Sequence, residues 1–202
     1  YNIANIAMLA WGRKAELVVA YLSSDEIKDF GFLSVGRNVL ISTKASIYDC
    51  DRISLGDNVR IDDFCLISGR LDIRDSVHLA PYTMLAGGDP GISVDSFSTF
   101  AYGVRVFAQS DDYSGNSAVG SLVPEGLRQT IKKHITINKY CIFGASACIF
   151  PGVTIAEGTA IGAMTLVTKD TLPWSINAGI PARFIRERSR QCLKDYCSLD
   201  SN

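Results

Sequence analysis

Apolar residues return at every sixth position through long stretches of the chain. The clearest series runs from residue 137 to residue 167 and contains Ile137, Phe143, Ile149, Ile155, Ile161 and Val167. An α-helix repeats every 3.6 residues and a strand alternates every two, so a strict period of six fits neither alone. The period therefore predicts short strands that wind around an apolar core, which is an all-β solenoid.

Three earlier series have the same spacing, and small insertions near Asp51 and Asp89 separate them. Their apolar positions are 35, 41 and 47, then 55 through 85, then 94, 100 and 106. With three repeats to a triangular coil, the four series predict about six coils. Tight corners are expected at Asp57-Asn58, Gly87-Gly88 and Pro151-Gly152.

The segments outside the repeats have other patterns. Residues 4–22 are predicted to form an amphipathic helix. A second helix is predicted from Ser24 to Phe30, where Ser23 and Glu26 have the spacing of a capping box. We expect these helices to cover one end of the solenoid.

Two further segments interrupt or follow the repeats. Residues 108–133 contain four Gly and Pro residues and are predicted to form one long protruding loop, which in a compact domain is usually functional. A short helix is predicted over residues 187–196. The expected organisation is thus a helical cap at 1–31, a β-helix at 32–186 and a tail at 187–202.

The sequence after Val167 reads TKDTLPWSINAGIPAR. It resembles the closing segment of hexapeptide-repeat acyltransferases, whose usual form is VTKD, a hydrophobic residue and Pro, followed by AGxPA and a basic residue. The resemblance covers residues 32–188 and implies a left-handed parallel β-helix. Within the family, the chain is similar to the sugar O- and N-acetyltransferases of surface polysaccharide biosynthesis.

This resemblance implies an activity and a set of partners. The donor would be acetyl-CoA, and the acceptor a hydroxyl or amine of a sugar or nucleotide sugar. Family sites lie between subunits, so a homotrimer is expected. The resemblance places the CoA groove at three small residues and three cations: Ala145, Ala163, Thr168, Lys169, Arg183 and Arg186.

The residues at the positions where the family usually has its general base differ from the family pattern. The string His78-Leu79-Ala80-Pro81 resembles the HIAP string of sugar N-acetyltransferases, in which a histidine nine residues earlier is usually the base. Here that position is Gly69. In the maltose and galactoside acetyltransferases the base is a histidine before a long loop, and here that position is Asp111. We interpret His78 as the base candidate, and the alternative is a surface histidine.

The repeat register gives this candidate its neighbours. Arg60, His78 and Thr99 should form one outward column on a single face of the prism. Asp111 lies near the end of another face, and around a threefold axis it could meet His78 of the next chain. Asp112 and Tyr113 follow it, and we expect them to contact the acceptor together with Arg60. A turn pair is the alternative for Asp111-Asp112.

Composition and length narrow the remaining classes of function. A formal net charge of −1 argues against a nucleic-acid partner. Two histidines are too few for the three-histidine zinc site of a γ-type carbonic anhydrase, so we expect no metal. The N-terminal apolar run is too short to span a bilayer, and its charges follow rather than precede it. The competing function is a catalytically inactive hexapeptide-repeat scaffold or binding protein.

The six cysteines predict free thiols in a reducing cytoplasm, because none forms a CxxC pair. Cys65 and Cys141 occupy inward positions of their repeats, where a small apolar residue is required.

Overall fold

The computed structural model describes residues 21–194 and 196. In this range short parallel strands form a left-handed β-helix of triangular coils. This confirms the all-β solenoid predicted from the six-residue period and the β-helix that the family resemblance implied. The strands are β1 (Ser34–Val35), β2 (Leu40–Ile41), β3 (Ser46–Ile47), β4 (Ile53–Leu55), β5 (Arg60–Ile61), β6 (Leu66–Ser68), β7 (Leu71–Ile73), β8 (His78–Leu79), β9 (Met84–Ala86), β10 (Ile92–Val94), β11 (Thr99–Phe100), β12 (Arg105–Phe107), β13 (Gln109–Asp111), β14 (Thr130–Lys132), β15 (Ile135–Ile137), β16 (Ile142–Phe143), β17 (Cys148–Ile149), β18 (Thr154–Ile155), β19 (Ala160–Ile161), β20 (Leu166–Val167), β21 (Ser175–Ala178) and β22 (Arg183–Glu187).

The strands form the three faces of a prism. Face 1 contains β1, β4, β7, β10, β15 and β18; face 2 contains β2, β5, β8, β11, β16, β19, β21 and β22; face 3 contains β3, β6, β9, β12, β17 and β20. Six coils contribute a strand to every face, as the repeat count predicted. In a seventh turn β21 extends face 2, and β22 pairs with it in antiparallel fashion.

The core follows from the strand alternation. From Leu55 onward the sixth-position residues point inward and are buried, whereas the residues before them face outward. Phe100 and Phe143 stack in the middle of the prism with ring centroids 4.5 Å apart. Burying each such side chain contributes about 1.5–3 kcal/mol. Cys65 and Cys141 are buried as predicted, and each thiol donates to backbone carbonyls.

The corners carry residues in the left-handed region of φ. Asn58, Gly88 and Gly152 have φ values of 58°, 52° and 84°, so the three predicted corners are confirmed. Asn tolerates this region better than most residues because its short polar side chain bonds locally. The side chains of Asn38 and Asn58 are joined by a 3.2 Å hydrogen bond between adjacent coils.

Helix α1 (Ser24–Asp29) confirms the second predicted helix, and its capping box joins Ser23 and Glu26. Ile27 of α1 is buried with the core, so the helix covers the open end of the first coil. Residues 4–20 of the first predicted helix lie outside the described residues. At its expected end the prediction is wrong, since Tyr21 forms an antiparallel bridge with Ser42.

The predicted start of the C-terminal helix at Glu187 is also wrong. Glu187 ends β22, and helical residues begin only at Leu193. The reason is the hairpin after the repeats, in which Ser175 pairs with Glu187. Arg188 then donates to the carbonyls of Tyr140 and Gly158 and lies over the ring of Trp174, which keeps the chain extended along the prism.

Residues 108–133 leave the prism between β12 and β15, as expected for an inserted loop. The segment is more ordered than predicted, because β13 and β14 pair as an antiparallel ribbon at its base. A 3₁₀ turn at Glu125–Leu127 lies within the rest of the loop.

Candidate functional site

The predicted outward column on face 2 is present. Arg60 pairs in register with His78, and His78 pairs with Thr99, on strands β5, β8 and β11. Each is followed by a fully buried residue, so the column points away from the core. The sequence register therefore placed these three side chains correctly relative to one another.

The column has a fourth member that sequence analysis missed. Asp62 Oδ2 lies 2.8 Å from Nε2 of His78, and Asp62 Oδ1 accepts from Nε of Arg60 at 2.7 Å. The hydroxyl of Tyr21 donates to the same Oδ1 at 3.1 Å. Only 11% of the Asp62 side chain is exposed, compared with 40% of His78. The carboxylate is thus a nearly buried hub that fixes three other side chains.

The environment keeps this hub ionised. Burial raises the pKa of Asp62, but hydrogen bonds from His78 and Arg60 outweigh it and hold the pKa below its ordinary value. Burial and the nearby Asp62 charge raise the pKa of Tyr21, so its hydroxyl remains a donor. Arg60 also lies over the Tyr21 ring, 5.7 Å from its centroid.

A groove runs along the outside of face 2 from His78 toward the last coils. Its lining is largely apolar and small, and includes Ala80, Ala101, Gly144, Ala160 and Gly162 together with Tyr102, Ile142 and Ile176. The adjacent coils are so close here that a Cβ added to Gly144 would lie 2.4 Å from the nitrogen of Ala163. Such a surface allows a ligand to approach the backbone closely.

Three of the predicted CoA residues line one cleft beyond this groove. Thr168 and Lys169 follow β20, and Arg183 begins β22. All three are exposed, and Arg183 Nη1 donates to the carbonyl of Ala182. A cleft with two cations can bind an anionic group by charge-assisted hydrogen bonds.

The other three predicted CoA residues lie apart from that cleft. Ala145 and Ala163 are exposed at one corner of neighbouring coils, where Met164 N donates to the Ala145 carbonyl at 2.8 Å. Arg186 lies on β22 opposite Ile176, and its Nη1 donates to the carbonyl of Glu187. The structure thus places the small residues beside the face 2 groove and the cations near its end.

Asp111 ends strand β13, and within one chain it is on a different face from His78. Its carboxylate accepts from Gly120 N at 3.3 Å, and it lines a polar cleft with Glu125, Arg128 and Lys132. The predicted meeting with His78 requires a neighbouring subunit and stays a prediction. Within the chain, the carboxylate that contacts His78 is that of Asp62.

Asp112 and Tyr113 have different environments. Asp112 accepts from the backbone and hydroxyl of Ser114 and from the hydroxyl of Ser117, which is the local bonding of a turn residue. These bonds hold its pKa below the ordinary value. Tyr113 is 88% exposed at the beginning of the loop. Contact of either residue with an acceptor stays a prediction.

His134 has a structural environment. Its Nδ1 lies 2.9 Å from the carbonyl of Pro90 and its Nε2 lies 3.1 Å from the hydroxyl of Ser93.

Among the residues that the structure describes, no group of three His, Cys, Asp or Glu side chains could hold a metal ion. In the same part of the chain, no helix is both long and apolar enough to cross a membrane.

Comparisons with known proteins give close relatives over nearly the whole chain, although no protein-family model matches. The chain is 39% identical over 179 residues to the dTDP-4-amino-4,6-dideoxy-D-glucose acyltransferase of Escherichia coli. The match spans 87% of this chain and 93% of the Escherichia coli protein.

The comparison with solved structures also finds sugar acyltransferases. AntD, an N-acyltransferase from Bacillus cereus in complex with dTDP and 3-hydroxybutyryl-CoA, has a TM-score of 0.88 and 42% identity, and covers 90% of this chain and 97% of its own. A serine-to-alanine variant of AntD in complex with dTDP-4-amino-4,6-dideoxyglucose and coenzyme A has a TM-score of 0.88 and 43% identity, over 91% of this chain and 99% of its own. A hexapeptide-repeat acetyltransferase from Vibrio cholerae, at 20% identity and a TM-score of 0.53, covers 83% and 80% of the two chains and shares the fold alone.

Proposed function

The chain belongs to the family of dTDP-4-amino-4,6-dideoxy-D-glucose acyltransferases and is a CoA-dependent sugar acyltransferase, and we propose that its acceptor is the amine of a dTDP-linked amino sugar. One observation carries this proposal: AntD matches this chain over 91% of its length and was solved with dTDP-4-amino-4,6-dideoxyglucose and coenzyme A. The alternative of an inactive scaffold then loses its main support, because an amine acceptor needs less help from a base than a hydroxyl does.

The face 2 groove and the cleft at its end fit the donor. Small residues at Gly144, Gly162 and Ala163 leave room for a pantetheine chain against the backbone. Lys169 and Arg183 lie where the phosphates of CoA would need cations. We therefore propose that the thioester is directed toward the His78 end of the groove.

The polarity of the three faces supports a homotrimer with sites between subunits. The outward residues of face 1 are polar: Ser34, Ser54, Asp72, Ser93, Thr136 and Thr154. Faces 2 and 3 instead present apolar side chains along several coils: Ile142, Ala160 and Ile176 on face 2, and Leu66, Met84, Cys148 and Leu166 on face 3. A threefold assembly buries two faces of each subunit and leaves one in water.

In such a trimer, face 3 of one subunit approaches face 2 of the next. Asp111, which follows the last residues of β12 on face 3, then lies near His78 of the neighbour. We propose that His78 accepts the proton of the attacking amine, while Asp111 attracts the amine from the open side. A backbone N–H of the groove stabilises the oxyanion that forms on the thioester carbonyl.

The product and the compartment follow from this chemistry. An acylated sugar that keeps its nucleotide diphosphate remains activated for glycosyl transfer, so we propose that the reaction precedes assembly of a surface polysaccharide. The buried thiols of Cys65 and Cys141 and the use of a CoA thioester fit the reducing cytoplasm.

The test is an assay of CoA release together with mass spectrometry of the product. The acceptors are dTDP-4-amino-4,6-dideoxyglucose, the same sugar without dTDP, and a dTDP-sugar with a hydroxyl at the same carbon. The donors are acetyl-CoA, as expected from the sequence, and 3-hydroxybutyryl-CoA. We expect an amide product only from the dTDP-linked amine. Equal transfer to the hydroxyl sugar would contradict an amine acceptor, and no turnover with any acceptor would restore the scaffold interpretation.

A further inference from the structure

The contact between Asp62 and His78 goes beyond the proposed function, on which it rests. We propose that Asp62 is a positioning residue that fixes the tautomer of His78 and turns its Nδ1 toward the groove. His78 is then ready to accept the proton of the acceptor amine before any neighbouring subunit contributes a group.

The geometry defines which nitrogen is used for which purpose. An ionised carboxylate only accepts hydrogen bonds, so Nε2 of His78, 2.8 Å from Asp62 Oδ2, must carry the proton. The other ring nitrogen, Nδ1, is then the unprotonated one. His78 also lines the face 2 groove, and 40% of its side chain is exposed. With Nε2 bound to Asp62, Nδ1 is the ring nitrogen left to contact a ligand in the groove.

Asp62 is itself held from two other directions. Nε of Arg60 on strand β5 and the hydroxyl of Tyr21 bind its Oδ1 and leave Oδ2 for His78. On the other side of His78, strand β11 presents the uncharged Thr99. Among the described residues, the charged or titratable groups around His78 are thus Asp62, with Arg60 and Tyr21 bound to it, and Tyr102, which lines the same groove. The hydrogen bonds from His78 and Arg60 keep Asp62 ionised, so Asp62 orients the imidazole without taking the proton itself.

The step balances without a further reactant. The amine nitrogen forms a bond to the acyl carbon, and Nδ1 of His78 takes a proton from that nitrogen. The carbon–sulfur bond then breaks, and the proton passes from His78 to the leaving thiolate. His78 returns to the form that Asp62 selects. The net products are an amide and a thiol.

The test replaces Asp62 with asparagine, which has nearly the same size. The amide of Asp62→Asn can donate to Nε2, and this favours the opposite tautomer with the proton on Nδ1. We expect kcat to fall about 10²-fold or more, with the KM values of both substrates changed little. The matched control is Asp63→Asn, which removes the next carboxylate along the chain. Asp63 binds Ser42 and Lys44 rather than His78, so kcat should be unchanged.

A spectroscopic readout separates positioning from a merely structural effect. The chain has two histidines, so ¹⁵N labelling of histidine gives two pairs of ring-nitrogen signals, and His134 serves as the internal reference. We expect the Nε2–H form of His78 in the wild type and in Asp63→Asn, and its loss in Asp62→Asn. Thermal unfolding checks that each variant is folded.

Two results would overturn the proposal. One is a changed tautomer with unchanged kcat. The other is a raised KM for the nucleotide sugar alone, which would make Arg60 and His78 binding groups for its diphosphate. Failure of the proposed function looks different, because the wild type would then be inactive while its His78 signal remained in the Nε2–H form.

Discussion

Arg183 and Lys169 differ in their surroundings from the cations that are paired with a carboxylate. Both are exposed in the cleft at the end of the groove, and neither forms an ion pair with any residue in the described range. Arg74, by contrast, is paired with Asp72 on face 1 at 2.9 Å. An unpaired cation in a cleft does not have to break an existing bond before it binds an anion.

For this reason Arg183→Ala should weaken CoA binding. The expected loss is about 1–2 kcal/mol, the contribution of a hydrogen bond to a charged group, which is about 5–30-fold in Kd. Isothermal titration calorimetry with CoA measures it. Arg74→Ala is the control and should bind CoA like the wild type. Equal affinity of both variants would place the phosphates elsewhere.

The inward cysteines allow a second prediction at the same scale. Burial raises the pKa of Cys65 to about 11 and that of Cys141 to about 12. At pH 8 at most about one Cys65 thiol in a thousand is then ionised, and the thiolate is the reactive form. Iodoacetamide should therefore modify the half-buried Cys50 and Cys192 first, and modify the two core cysteines only after unfolding. Peptide mass spectrometry over time gives the order, and early labelling of Cys65 would contradict the burial.

Among the elements, the inserted loop is the one that the repeat pattern does not explain. Its ribbon brings Asp111 and Thr130 into register, so a two-residue turn could join β13 directly to β14. Replacing residues 112–129 with Asn-Gly removes the loop while keeping the ribbon.

We expect this replacement to abolish acyl transfer and to spare CoA binding. The cleft proposed for the donor is lined by residues 168–172, which follow β20, and by Arg183 and Phe184 of β22, far along the chain from the loop. Asp112 and Tyr113, by contrast, are the expected acceptor contacts. Transfer should fall about 10²-fold or more, because an acceptor held less well loses its orientation. The control is Gly126→Ala, since an added Cβ there meets open space. Retained turnover with the same nucleotide sugar would refute the assignment of the loop.

How far the sequence predicted each element depends on the range of the interaction. The period of six gave the faces, the register of Arg60, His78 and Thr99, and the buried cysteines, because each follows from spacing along the chain. Asp62 was missed because it lies diagonally from His78, two positions after the residue that pairs with it. The signal in the sequence was the separation of Arg60 and His78, which is eighteen residues, or one coil. It places Asp62, two residues after Arg60, within reach of His78.

The ends of the prism were harder to predict because packing rather than periodicity decides them. Glu187 was expected in a helix but lies in β22, since the hairpin after Ala178 turns the chain back along face 2. Local helix propensity could not reveal that contact.

The whole molecule is organised by the contrast between one polar face and two faces that carry apolar patches along several coils. A single subunit leaves the face 2 groove open on its outer side, and it leaves Asp111 and His78 on different faces. Both features are explained if the working unit is the trimer, in which the groove is closed by face 3 of the next subunit. The oligomer would then be needed for catalysis and not only for stability.

Complementation between inactive variants tests this directly. His78→Asn and Asp111→Asn should each be nearly inactive as pure proteins. Co-expressed with different tags and purified as mixed trimers, they should regain activity, because some interfaces join a native His78 to a native Asp111 of the neighbour. Each mixed trimer has one such interface among its three, so turnover should approach about a third of the wild-type value. A site built within one chain has no such rescue, because every subunit then carries one defect. Activity no higher than that of the pure variants would therefore place both residues in the same subunit's site.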